Sequence, residues 1–167
     1  MAQPKYRIAT IGSHSALQIF KGAHDEGFKT IAICKKGSER PYKMFNAADE
    51  IISINSYKDF VKIQNQLIKK NAIVIPHGSF VTYMGYQEVE KLKVLYYGNK
   101  KILKWESDRY LERQWLKNAG FKVPLLFDKP KDIDRLVIVK FMGAEGGRGY
   151  FLAKNEQDFN KKIKPYK

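Results

Sequence analysis

Lys140 stands at the end of a β-branched run, Val137-Ile138-Val139. Four glycines follow it within one short loop: Gly143, Gly146, Gly147 and Gly149. Glycine permits positive φ and lets a backbone come close to a ligand. Tyr150-Phe151-Leu152 then resumes an apolar pattern, so the stretch reads as strand, glycine loop, strand. A Walker loop needs Gly-Lys-Ser/Thr opening a helix, and a dinucleotide fingerprint also opens a helix. Here a strand follows instead. Backbone amides of such a hairpin can cover the phosphates of a nucleoside triphosphate while the strand lysine pairs with them, a device that protein kinases use. A flexible hairpin with an incidental lysine would look the same. The unbroken apolar run before Lys140 predicts a buried strand.

Two further clusters can bind an anion. Gly12-Ser13-His14-Ser15 and His77-Gly78-Ser79 each follow a short apolar run. The first also opens a helical pattern, where free N–H groups and the helix dipole favour phosphate. Ser13 and Ser15 add hydroxyls, His14 adds an imidazole, and Ser79 does likewise from the second turn. Each turn taken alone reads first as ordinary capping, with His77 as a solvated loop residue. Two such turns on one sheet edge point to a phosphorylated ligand. His24 has no such setting and reads as a surface residue. No His, Cys and carboxylate spacing suggests zinc.

The elements that must position these residues follow from periodicity. Apolar pulses at 7–11, 30–34, 50–54, 72–75 and 94–97 predict strands. Helical spacing predicts a helix from Ala16 to Ala23, stopped by Gly27. A second, capped by Ser56, runs from Tyr57 to Lys70 with Phe60, Val61, Ile63, Leu67 and Ile68 as its buried side. A third runs from Lys100 to Asn118, with Gly120 beyond its end. Pro130 to Asp134 reads as a helical turn or loop, and Glu156 to Ile163 as a helix start. The strand–helix alternation makes an open, mainly parallel α/β sheet, in which ligands sit outside the carboxyl ends of the strands.

The sequence has 167 residues, 44% of them apolar, enough for one domain with a core and part of another. The formal net charge is +14. Its lysines are dispersed, as in Lys35-Lys36, Lys69-Lys70, Lys100-Lys101 and Lys161-Lys162, and no RNA-binding aromatic signature accompanies them. A solvated basic surface is therefore favoured over nucleic-acid binding. The lone Cys34 argues against a disulfide framework. No apolar run reaches membrane-spanning length, and Met1 to Lys5 leads directly into a strand. A cytoplasmic protein is expected.

Taken together these stretches resemble one family: the archaeal-type, formate-dependent formylaminoimidazole-carboxamide ribonucleotide synthetases, the PurP family of ATP-grasp ligases. The resemblance rests on Ile8-Ala9-Thr10-Ile11-Gly12-Ser13-His14-Ser15, Leu17 to Ala23, Ile75-Pro76-His77-Gly78-Ser79-Phe80, Gly98 to Ser107, Asp132-Ile133-Asp134, and Val137 through Phe151. It covers nearly the whole chain.

The resemblance implies a Rossmann-like pre-ATP-grasp domain at 1–99, followed by the first lobe of an ATP-grasp domain at 100–167. It implies an ATP- and formate-dependent ligase of purine (IMP) biosynthesis, which joins formate to the amine of aminoimidazole-carboxamide ribonucleotide (AICAR) with magnesium. Gly12, Ser13, His14, Ser15 and Ser79 are then the substrate-binding residues. Lys140, Gly143, Gly146, Gly147, Arg148 and Gly149 are the ATP-binding residues. The magnesium ligands are expected beyond this chain, which would make it the N-terminal part of a ligase, inactive alone, partnered by a missing ATP-grasp half or by further copies of itself. Two departures stand out. Glu145 replaces a usual arginine and puts negative charge near the expected phosphates. Val94-Leu95-Tyr96-Tyr97 replaces a usual Val-Pro-x-Phe. A paralogous ATP-grasp ligase with another amine or carboxylate, and a non-catalytic nucleotide- or RNA-binding module, are the alternative readings.

Overall fold

The computed structural model describes residues 5–141 and 149–166. The chain divides into two compact units, 1–108 and 109–167.

The first unit is built on five strands: β1 (Arg7–Ile11), β2 (Lys29–Lys35), β3 (Glu50–Ile54), β4 (Ala72–Val74) and β5 (Leu95–Tyr96). All pair in parallel, in the order β3-β2-β1-β4-β5. Parallel strands need crossovers, and the helices α1 (Ala16–Asp25), α2 (Arg40–Met44) and α3 (Phe60–Lys69) lie in those connections. Period-two alternation splits β2 between two cores. Ile31 and Ile33 join Ile11, Phe60, Leu67, Val74 and Phe80 in one cluster. Ala32 and Cys34 join Ala16, Phe20 and Tyr42 in another.

Local chemistry sets the ends of these elements. Gly27 follows α1 with φ 77°, a conformation that other residues adopt at a cost. Ser56 and Asp59 form a capping box: the Ser56 Oγ accepts from the Lys58 N–H, and the Asp59 carboxylate accepts from the Ser56 N–H. The expected helix therefore begins as a 3-10 turn, Tyr57–Asp59, and continues as α3. Ile68 lies on its exposed flank and not in the core.

One stretch had no predicted element, and one expectation needs correction. The region after His77 is helical, with α4 (Ser79–Met84) and α5 (Tyr86–Glu90) separated by Gly85 at φ 80°. The helix expected from Lys100 to Asn118 is two helices, α6 (Ile102–Ser107) and α7 (Arg109–Asn118), because Asp108 takes an extended conformation.

The second unit contains α7, a 3-10 turn at Pro130–Asp132, the antiparallel pair β6 (Val137–Lys140) and β7 (Tyr150–Ala153), and α8 (Glu156–Lys162). One face of the hairpin packs its Phe151 against Phe159 of α8 and against Tyr166. The other face is open, with Ile138 57% exposed. The predicted buried strand is thus covered on one side only.

Candidate functional site

The sheet order reverses direction at β1: β2 and β3 lie on one side of it, β4 and β5 on the other. That makes the carboxyl ends of β1 and β4 a topological switch point, where open α/β sheets hold their ligands. The two polar turns predicted from sequence follow these two strands. Thr10 Oγ1 donates to the Ile75 carbonyl at 2.7 Å, tying the two strand ends together.

The Gly12–Ser15 turn is packed from below. The Gly12 amide donates to the Ile33 carbonyl at 2.7 Å. A Cβ at Gly12 would lie 2.9 Å from Tyr42 Cε2 and 3.1 Å from Cys34 Sγ, so this glycine is required for close approach. Burial, with the Glu39 carboxylate adding to it, pushes the Cys34 thiol up to about 12, so it is not a nucleophile. Ser13 Oγ accepts from the Ser15 amide at 3.3 Å. Ser15 begins α1 without a side-chain cap, and His14 is exposed.

His77 joins the two turns. Its Nε2 lies 3.0 Å from the Ile11 carbonyl, which can only accept, so Nε2 carries the proton. Nδ1 is then an acceptor, and it takes the Ser79 amide at 3.3 Å. Ser13 Oγ lies against both ring nitrogens, 3.4 Å from Nδ1 and 3.3 Å from Nε2. Burial holds the imidazole below its ordinary pKa, against the opposing effect of the Ile11 bond, and His14 adds to the lowering. His77 is thus a neutral bridge and not a solvated loop residue. Ser79 is buried at the start of α4. Sequence reasoning did not single out His77 as a site residue, although its place two residues before Ser79 was visible.

His24 also has partners. Its Nε2 lies 3.0 Å from Asp49 Oδ2 and 3.0 Å from Thr30 Oγ1, at the amino end of β2 and so at the edge away from the turns. Burial opposes ionisation of Asp49. Hydrogen bonds from Lys29, Thr30 and His24 outweigh it and hold the carboxylate well below the usual range.

In the second unit, Lys140 is exposed and pairs with Tyr150 across the hairpin. The Phe141 amide donates to the Gly149 carbonyl at 2.9 Å, continuing the register into the loop, and Gly149 has φ 76°. Gly143, Gly146, Gly147 and Arg148 lie outside the described residues. Directly opposed residues share a face. Ile138, Lys140, Tyr150 and Leu152 therefore form one open apolar shelf ending in a lysine. An open groove in the same unit lies between α7 and the 123–128 segment, lined by Arg113, Lys117, Val123 and Leu125 among others. Among the described residues no helix is long and apolar enough to cross a membrane.

This parallel sheet, with its antiparallel hairpin further along the chain, is the fold of the ATP-grasp ligases. The structure is similar to N5-carboxyaminoimidazole synthetase from Staphylococcus aureus complexed with ADP, with a TM-score of 0.77 at 24% identity over 98% of this chain and 45% of that one. The chain belongs to the family described as "Protein of unknown function (DUF1246)", whose model matches residues 8–127. It is 54% identical over 164 residues to the 5-formaminoimidazole-4-carboxamide-1-(beta)-D-ribofuranosyl 5'-monophosphate synthetase of Pyrococcus abyssi, covering 96% of this chain and 46% of the relative. The IMP biosynthesis protein PurP from Thermococcus kodakaraensis has a similar structure, with a TM-score of 0.65 at 29% identity over 88% of this chain and 49% of that one. The chain spans about half the length of the curated relatives it matches.

Proposed function

We propose that this chain supplies the ribonucleotide-binding unit and the ATP hairpin of a formate-dependent ligase that formylates AICAR on the purine route to IMP. The observation that carries this reading is the joining of the β1 and β4 turns by Ser13 and His77 at the switch point. It occurs in a chain 54% identical to a synthetase named for the formylated ribonucleotide. The Gly12–Ser15 turn takes the phosphate through backbone amides and the Ser13 and Ser15 hydroxyls. His14 and Ser79 contact the rest of the ribonucleotide.

Formate is activated in this reading as formyl phosphate, and the AICAR amine displaces phosphate from its carbonyl carbon. Lys140 and the loop holding Gly143, Gly146, Gly147, Arg148 and Gly149 bind the ATP phosphates. The shelf of Ile138, Tyr150 and Leu152 suits a purine ring, and the lysine at its end suits a phosphate. Magnesium belongs to the same chemistry. Among the described residues no group of three His, Cys, Asp or Glu side chains is arranged to hold a metal ion. The carboxylates for magnesium and the rest of the ATP site are supplied by a further lobe. An archaeal, cytoplasmic setting goes with this reading.

Isothermal calorimetry on the chain with AICAR, in the absence of ATP, tests the proposal. Saturable binding is expected, and His14→Ala or Ser79→Ala should weaken it by about 1–3 kcal/mol each. Unchanged affinity in both variants, with folding intact, overturns the assignment.

A further inference from the structure

Three consecutive carbonyls of the β1 turn are each held by a ring donor from a different part of the fold. The Ile11 carbonyl accepts from His77 Nε2 at 3.0 Å. The Gly12 carbonyl accepts from the Tyr57 hydroxyl at 2.6 Å. The Ser13 carbonyl accepts from the Tyr42 hydroxyl at 3.0 Å. Tyr42 comes from α2, Tyr57 from the 3-10 turn before α3, and His77 from the loop after β4.

Peptide geometry turns these contacts into a statement about the opposite edge of the turn. In a planar trans peptide the carbonyl of one residue and the N–H of the next point in opposite directions. No peptide bond among the described residues is cis. A hydroxyl that holds the Gly12 carbonyl inward therefore directs the Ser13 N–H outward. One that holds the Ser13 carbonyl inward directs the His14 N–H outward. Neither amide donates to any group among the described residues. The Ile11 carbonyl follows the same rule, and the Gly12 amide it opposes goes to Ile33 within the sheet. Burial raises both phenols above their ordinary pKa, so both stay protonated and able to donate.

We infer that Tyr57 and Tyr42 are positioning residues for the phosphate of the bound ribonucleotide, Tyr57 aiming the Ser13 amide and Tyr42 the His14 amide. The inference rests on the proposed function, because it takes the ligand's phosphate to sit at this turn. It assigns a role to two side chains that need not touch the ligand. Phenylalanine at either position removes the hydroxyl alone. It keeps the stack of residue 57 on Tyr83, with ring centroids 4.9 Å apart, and the edge contact of residue 42 with Phe20 at 5.9 Å.

The test is calorimetry on the 167-residue chain and its Tyr57→Phe and Tyr42→Phe variants, each with AICAR and with the corresponding nucleoside, which lacks the phosphate. Each variant should lose about three- to tenfold in affinity for the nucleotide, as one lost hydrogen bond implies, with nucleoside affinity unchanged. A general loosening of the unit would weaken both ligands together. Backbone amide NMR provides a second readout that stability does not move. Nucleotide should shift the Ser13 and His14 resonances in the wild type, the Ser13 shift alone should shrink in Tyr57→Phe, and the His14 shift alone in Tyr42→Phe. An unchanged nucleotide-to-nucleoside ratio in both variants overturns the inference. Failure of the wild-type chain to bind the nucleotide at all overturns the functional reading beneath it.

Discussion

Gly12 and Tyr42 occupy space that only one of them can fill: a Cβ on Gly12 would stand 2.9 Å from Tyr42 Cε2. The ring is buried and held through its hydroxyl by the Ser13 carbonyl, so it cannot swing away without breaking that bond. Gly12→Ala should destabilise the first unit by about 1–3 kcal/mol, the usual cost of overpacking. A urea unfolding midpoint measures it, and an unchanged midpoint would mean that Tyr42 has room to move.

The helix α3 depends on the Ser56–Asp59 box at its start. Ser56→Ala leaves the Lys58 amide without its acceptor and should cost about 1 kcal/mol. The same denaturant titration reads it.

Stability should fall toward acid in two separate windows. The folded His77 has a pKa below its ordinary value of 6.5. Below that value the unfolded chain takes up a proton that the native chain refuses, so stability is lost as pH drops from about 6.5 toward the lowered folded value. Asp49 is depressed from an ordinary 3.8, so its contribution is present above that value and lost as pH falls below it. His77→Gln should flatten the first window and leave the second. A pH series of thermal melts on both proteins checks this. Equal slopes between pH 6.5 and 4 would remove His77 as the cause.

Cys34 should resist thiol reagents in the folded chain. It is buried, and its pKa is pushed up to about 12. Ellman's reagent should label it only as fast as the first unit opens, and at once in denaturant.

Lys140 is exposed at the end of β6, so Lys140→Ala should change stability by less than about 0.5 kcal/mol. Under the proposed function it should weaken a non-hydrolysable ATP analogue by roughly tenfold or more, the loss of a charge-assisted bond. Fluorescence titration separates the two effects.

The order of strands and helices in the first unit was legible because apolar pulses of strand length alternate with helical spacing. The turns at Gly12 and Ser79 were legible for a similar reason, since small polar residues follow apolar runs. Their partners were not. Tyr42 and Tyr57 reach the turn from 29 and 45 residues away, and His77 reaches Ile11 from 66 residues away, distances that no local pattern encodes. The break at Asp108 had a signal, because Ser107-Asp108 is a cap-type pair inside a helical rhythm. The exposure of Ile138 had none, since an unbroken apolar run looks alike whether one face or both are covered.

The seam between β1 and β4 carries a kinetic consequence. Strands β1, β2 and β4 pair with their successors in sequence, whereas Arg7 on β1 must also find Ala72 on β4. Closing so long a loop costs chain entropy before any contact repays it, so this pairing belongs late on the folding route. The two turns face each other across that seam. A ligand held by both turns therefore binds only chains in which the last pairing has formed, and its binding free energy adds directly to the stability of that pairing. Hydrogen exchange of the β4 amides is where a bound ribonucleotide would register first.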